Sequence, residues 1–137
     1  MNELRVGDII EGNRITVTEY HVMAFAGLTG DFNPLHVDEE MAKNTNFKGR
    51  IAHGLLSLSL ALGLVSQHIH EYFLYGFDKI RFTEPVRLGE TVSSTLTVNG
   101  AVDRGKYILY SCTMILKGSD ESEVLNAFIL LGKMKRE

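Results

Sequence analysis

Cysteine, proline, excess cation and long apolar runs are all scarce in this chain, and each shortage narrows what it does. Cys112 is the only cysteine in 137 residues, so no intrachain disulfide forms and a reducing, cytoplasmic setting is expected. The opening Met1-Asn2-Glu3-Leu4-Arg5 agrees, because it carries no apolar signal core. The two prolines, Pro34 and Pro85, stand alone, and no repeat, low-complexity tract or linker interrupts the chain. One domain spanning residues 1–137 is therefore expected. The most apolar stretch, Leu55–Val65, is far shorter than the roughly 20 residues a bilayer-spanning helix needs, so no membrane role is expected. Lys and Arg number 14 against 17 Asp and Glu, a net charge of -3, with no basic stripe to meet a phosphate backbone. Nucleic acid is excluded as an expected partner. Small phosphorylated ligands are not, since a few local cations such as Lys48, Arg50, Arg81 and Arg104 suffice for one phosphate.

What remains is an ordinary globular composition, 45% hydrophobic and 23% charged. Gly7–Thr16 reads as an opening strand or hairpin, and Thr18 is placed to cap a helix through Tyr20, Met23 and Gly27 that stops by Gly30. Asp38 offers a second cap, with Glu39 and Glu40 in a first turn where the helix dipole favours them, and everything between Gly30 and Asp38 reads as loop. The Leu55–Val65 stretch is apolar on every side and predicts a helix wrapped by the rest of the protein. Period-two patterns with β-branched and aromatic residues then predict strands over 78–82, 91–98, 107–116 and 124–133, joined by turns at Asp103-Arg-Gly105 and 117–120. The architecture is α+β: a curved antiparallel sheet covering one hydrophobic helix, its open edge suited to pairing with a second copy. Cys112 falls in a strand and reads as a buried, inert thiol. His68-Ile-His70 lacks the companions of a metal set, and no metal is expected.

The chemistry-bearing segment is Phe25-Ala-Gly-Leu-Thr-Gly-Asp-Phe-Asn-Pro-Leu-His36, which places a carboxylate, an amide and an imidazole within six residues. On a helix, Asp31 and His36 would point about 140° apart. Pro34 instead forces Asn33 to be extended, and the chain curls so that both groups face one small cavity with room for a shared water. The bland alternative has Asp31 capping a turn, Asn33-Pro34 shaping it, and His36 bonded to a backbone carbonyl.

As a string, this segment resembles the signature of the MaoC-like, (R)-specific enoyl-CoA hydratases: an aromatic residue, Gly-Asp-x-Asn-Pro, an aliphatic residue, His, and a small residue six positions on. Phe25, Gly30, Asp31, Asn33, Pro34, Leu35, His36 and Ala42 meet it. Ile51-Ala-His-Gly-Leu-Leu56 and Lys79-Ile-Arg-Phe-Thr-Glu-Pro-Val86 followed by Gly89 are similar to further family segments, in the family's order. The resemblance implies the hot-dog fold, paired into a homodimer or higher homo-oligomer. It also implies reversible syn addition of water to a trans-2-enoyl thioester, with Asp31 and His36 as the catalytic pair. Gly54 would bind the thioester carbonyl through its backbone N–H, and His53 and Asn33 would complete the substrate site. His53 reads equally as a structural residue before the helix. No cofactor is implied beyond the coenzyme A, or acyl carrier protein, that carries the acyl group. A hot-dog thioesterase using Asp31 alone is the competing enzyme; a non-catalytic acyl-thioester binding module is the third reading. The intact His36 and Asp31 speak against both.

Overall fold

The computed structural model describes residues 3–136. Met1, Asn2 and Glu137 lie outside it, and with them part of the amino-terminal reading and the outer limits of the 1–137 unit. The elements run β1 (Ile9–Thr16), α1 (Glu19–Thr29), α2 (Pro34–Val37), α3 (Glu39–Ala42), α4 (Gly54–Ser66), β2 (Tyr72–Phe82), β3 (Thr91–Asp103), β4 (Tyr107–Lys117) and β5 (Glu123–Met134).

The helix boundaries follow their caps. Thr18 precedes α1, and its N–H donates to His21 Nδ1; Gly30 ends that helix in the left-handed conformation at φ 82°. Asp38 caps α3 by accepting from Met41 N–H. The reading of 30–38 as uninterrupted loop is corrected by α2. Pro34 ends nothing here; it sits at the first helical position, where its missing N–H costs nothing, and Asn33 Oδ1 caps the turn by accepting from Leu35 N–H.

All five strands pair antiparallel in the order β1-β3-β4-β5-β2. Only β3, β4 and β5 form the expected meander. The chain leaves α4 and crosses to lay β2 against β5, so β1 and β2 are the edges. β2 is also longer than its sequence suggests, reaching back to Tyr72, with register shifts at Leu74/Gly76 and Phe77/Lys79 that break the period-two pattern. The inward faces of β3, β4 and β5 supply Val92, Leu96, Val98, Cys112, Met114, Leu116, Leu125, Ala127, Ile129 and Leu131, all buried. They close on Leu56, Leu58, Ala61, Leu64 and Val65 of α4. Ser94 Oγ, buried in this layer, donates to Ala61 O at 2.8 Å and fixes the helix on the sheet. Burial pushes the Cys112 thiol up to about 11, which leaves it protonated and inert at neutral pH.

The helix is not covered all round, as its apolar composition suggests. Leu55 is 61% exposed, and Ser59, Gly63 and Ser66 continue that uncovered stripe. No helix among the described residues is long and apolar enough to cross a membrane.

Candidate active site

Three backbone ties bring the site together. Ile51 N–H donates to Leu35 O and Ala52 N–H to Val86 O, and Ile51 bridges Arg87. The motif loop is thereby laid beside the start of α4. Arg50 Nε donates to His36 O at 2.7 Å while its guanidinium forks onto Glu19 at 2.7 and 3.1 Å, tying α2 back to α1. Arg50 is thus committed within the protein and is not the free phosphate contact its charge suggests. Nothing in the sequence around it announces either partner.

Asp31 is exposed and His36 is 9% exposed, and ligating atoms of Asp31, His36 and His53 all lie within 4.8 Å of one another. Asp31 Oδ1 accepts from Asn33 N–H at 3.2 Å, which leaves the second oxygen of the carboxylate for other partners. His36 Nδ1 lies 2.7 Å from Ile51 O. A carbonyl only accepts, so Nδ1 carries the proton and Nε2 presents a lone pair. The bland reading of His36 as a carbonyl-bonded histidine is therefore correct as far as it goes. That bond is what makes the other nitrogen a base.

His36, Phe47, Gly54, Ser57, Phe82 and Val124 are among the residues lining a cavity of about 320 Å³. Gly54 is the first residue of α4, so its N–H has no intrahelical partner and forms part of the positive end of the helix dipole. A methyl group there would stand 3.3 Å from the Phe82 ring; the glycine keeps this approach open.

The other two expected substrate residues, Asn33 and His53, each hold a hydrogen bond within the protein. Asn33 spends its side-chain oxygen on capping α2. His53 is 2% exposed and does not line the cavity, because Nε2 bonds Asp31 O at 2.9 Å behind the pair.

A family model described as MaoC like domain matches residues 3–117. The chain belongs to the MaoC-like domain family. It is 37% identical over 116 residues to an (R)-specific enoyl-CoA hydratase of Rhodospirillum rubrum, covering 81% of each chain. To the mitochondrial 3-hydroxyacyl-[acyl-carrier-protein] dehydratase of Arabidopsis thaliana it is 29% identical, over 90% of this chain and 74% of that one. Among solved structures, a monoamine oxidase regulatory protein from Archaeoglobus superposes with a TM-score of 0.91 at 35% identity, covering 98% and 93% of the two chains. The (R)-hydratase of A. caviae involved in PHA biosynthesis gives 0.85 at 26% identity, covering 98% and 100%. The hot-dog fold expected of a MaoC-like chain is the fold observed.

The MaoC-like site also brings together the one set of metal-ligating groups found among the described residues, Asp31, His36 and His53. The His36 and His53 rings lie close and tilted, centroids 3.9 Å apart with 30° between their planes, and one nitrogen of each is bonded to a main-chain carbonyl.

Proposed function

We propose that the chain is a hydro-lyase acting on 2-enoyl thioesters, an (R)-specific enoyl-CoA hydratase that also runs in reverse as a 3-hydroxyacyl-CoA dehydratase. The observation that carries it is the approach of Asp31 and His36 to within 4.8 Å beside the N-terminus of α4. Two hydrogen bonds of about 2.8 Å meeting at one water span roughly 4.6 Å, so a single water reaches both groups. An ionised carboxylate accepts only, and His36 Nε2 is held as an acceptor; together they take both O–H bonds of that water and aim its lone pair outward.

As the water oxygen bonds C3, the C2=C3 π pair moves toward the thioester carbonyl and the pair takes one proton from the water. Enolate character on the thioester oxygen is met by Gly54 N–H, a preorganised donor at the positive end of a helix. The proton then passes to C2. Both groups lie on one side of the substrate, so oxygen and hydrogen arrive on the same face and the enzyme ends in its starting protonation state. Dehydration is the same path reversed.

The relatives named above include one acting on CoA and one on acyl-carrier-protein thioesters. We take the CoA thioester as the first substrate to test. We also propose that the working form is a homodimer, with the uncovered face of α4 and edge strand β2 against a second copy.

The test follows loss of enoyl-thioester absorbance on adding crotonyl-CoA, with chiral analysis of the product. Wild-type turnover to the (R)-3-hydroxyacyl product is expected, with kcat lowered by at least about 10²-fold in Asp31→Asn and in His36→Ala. Release of free CoA without hydroxyacyl product would replace this reading with thioester hydrolysis. Inertness toward both CoA-linked and carrier-protein-linked enoyl groups would leave a binding module.

A further inference from the structure

His53 is the only described residue with a fully buried side-chain nitrogen or oxygen that has no partner: its Nδ1 bonds nothing. It stands at the N-cap position of α4 yet makes no capping bond with its side chain. An imidazole that neither caps its helix nor satisfies both nitrogens has been placed for another reason. Its neighbours supply one. Nε2 bonds the main-chain oxygen of Asp31 at 2.9 Å, and since a carbonyl only accepts, Nε2 carries the proton and Nδ1 is a bare lone pair. One face of the ring lies on His36, centroids 3.9 Å apart, and Phe25 packs against the same ring at 4.9 Å and 53°.

We infer that His53 is the positioning residue of the catalytic pair, setting Asp31 by its hydrogen bond and His36 by its ring face. This rests on the hydro-lyase reading of the site. His53 does not touch substrate, being 2% exposed and outside the cavity wall. It does not relay protons either: its only free nitrogen meets no partner, and its other nitrogen is spent on a main-chain carbonyl. Its two contacts act on different members of the pair. The bond to Asp31 O orients the peptide that carries the carboxylate. The other restraints on that loop are light: Asp31 N–H on Thr29 Oγ1 and Asn33 N–H on Asp31 Oδ1, both at 3.2 Å, and Phe32 N–H on Gly30 O. The ring face sets the tilt of His36 about the axis its Ile51 bond leaves free, and Phe25 packs against the same ring. When His36 takes a proton from water, a neutral ring lies across its face, and an aromatic face favours a cation.

Three substitutions separate these roles. His53→Gln keeps a donor near the place of Nε2 and loses the ring; His53→Phe keeps the ring and loses the donor; His53→Ala loses both. The wild type and the three variants are compared for kcat, KM, melting temperature and amide hydrogen exchange over residues 30–33. Displacing a catalytic group by about 1 Å costs on the order of 10²-fold, so His53→Ala is expected to lose about that much in kcat with KM little changed. Gln and Phe should each recover part of it. Exchange over 30–33 should speed up in the Ala and Phe variants and stay near wild type in the Gln variant. The inference is overturned by three outcomes: kcat of His53→Ala near wild type, loss of activity as a rise in KM alone, or Gln and Phe variants no better than Ala. The exchange measurement needs no substrate. If the wild type proves inert, the hydro-lyase reading fails, while unchanged exchange in His53→Phe would separately remove the hold on Asp31.

Discussion

At the residue scale the site depends on a few backbone groups as much as on its side chains. Gly54 is assigned to the thioester oxygen through its N–H alone, and its position makes that role separable from the fold. It is the first residue of α4, where proline is tolerated, and His53 before it has φ -58° and ψ 140°, the extended conformation a following proline requires. Gly54→Pro therefore removes the donor while keeping the helix start. The added ring carbon meets Phe82 at 3.3 Å, but that side chain is 51% exposed and free to give way. The expected result is a protein that melts close to wild type and loses about 10²–10³-fold in kcat, the cost of one oxyanion donor. A loss of activity confined to KM would show instead that the proline merely blocks entry.

Arg50 and Glu19 offer a second residue-scale comparison. Glu19 is largely exposed, so Glu19→Gln should cost little, at most about 1 kcal/mol by denaturant melts. Arg50→Met also leaves His36 O without its donor, and an unpaired buried acceptor costs about 1–3 kcal/mol. Equal losses in the two variants would mean that the ion pair, not the bond to His36 O, holds α2. That Asp31 and His36 approach each other was legible from the motif string, whose residues are local; singly, each read as well as a turn residue or a carbonyl-bonded histidine. Arg50 and His53 were not legible: their partners lie 14 to 31 positions away, and no local pattern encodes a ring face or a carbonyl at that distance.

At the element scale, the caps at Thr18, Gly30 and Asp38 and the Leu-rich helix were readable because each is set by residues within one turn. α2 was missed for want of one consideration: proline excludes the interior of a helix but favours its first position. The extent of β2 was missed because Tyr72–Tyr75 has no alternating pattern to find; this edge is apolar outward as well as inward. The crossing of β2 to β5 is a property of the whole sheet. One close contact between elements makes a prediction. Gly12 in β1 lies so near α4 and β3 that a Cβ would meet Ser94 O at 2.8 Å and Leu64 O at 3.0 Å. Both are backbone atoms and neither can swing aside. Gly12→Ala should cost about 1–3 kcal/mol, seen as a lowered melting temperature, because β1 must lift off the layer it closes. Gly27→Ala, with nothing within 4 Å of the added carbon, is the matched control and should not destabilise. Similar melting of both would show that β1 shifts freely.

At the scale of the whole molecule, one stretch of uncovered apolar surface runs from α4 to edge strand β2. Leu55 on α4 and Leu74, Tyr75 and Phe82 on edge strand β2 are each roughly half exposed or more. An edge strand with apolar side chains and unpaired backbone groups invites strand pairing, and a two-fold axis there would bury each residue twice. A leucine buried on association contributes about 1.5–3 kcal/mol, so Leu74→Glu acts on two copies at once. The loss of about 3–6 kcal/mol corresponds to at least a hundredfold in the dimer dissociation constant. Sedimentation should find the wild type dimeric at micromolar concentration and Leu74→Glu monomeric there. Thr113→Glu, on the opposite face of the sheet, should leave the dimer intact. A monomeric wild type would overturn the assignment of this face. A dimer weakened equally by both substitutions would place the contact on the outer sheet instead.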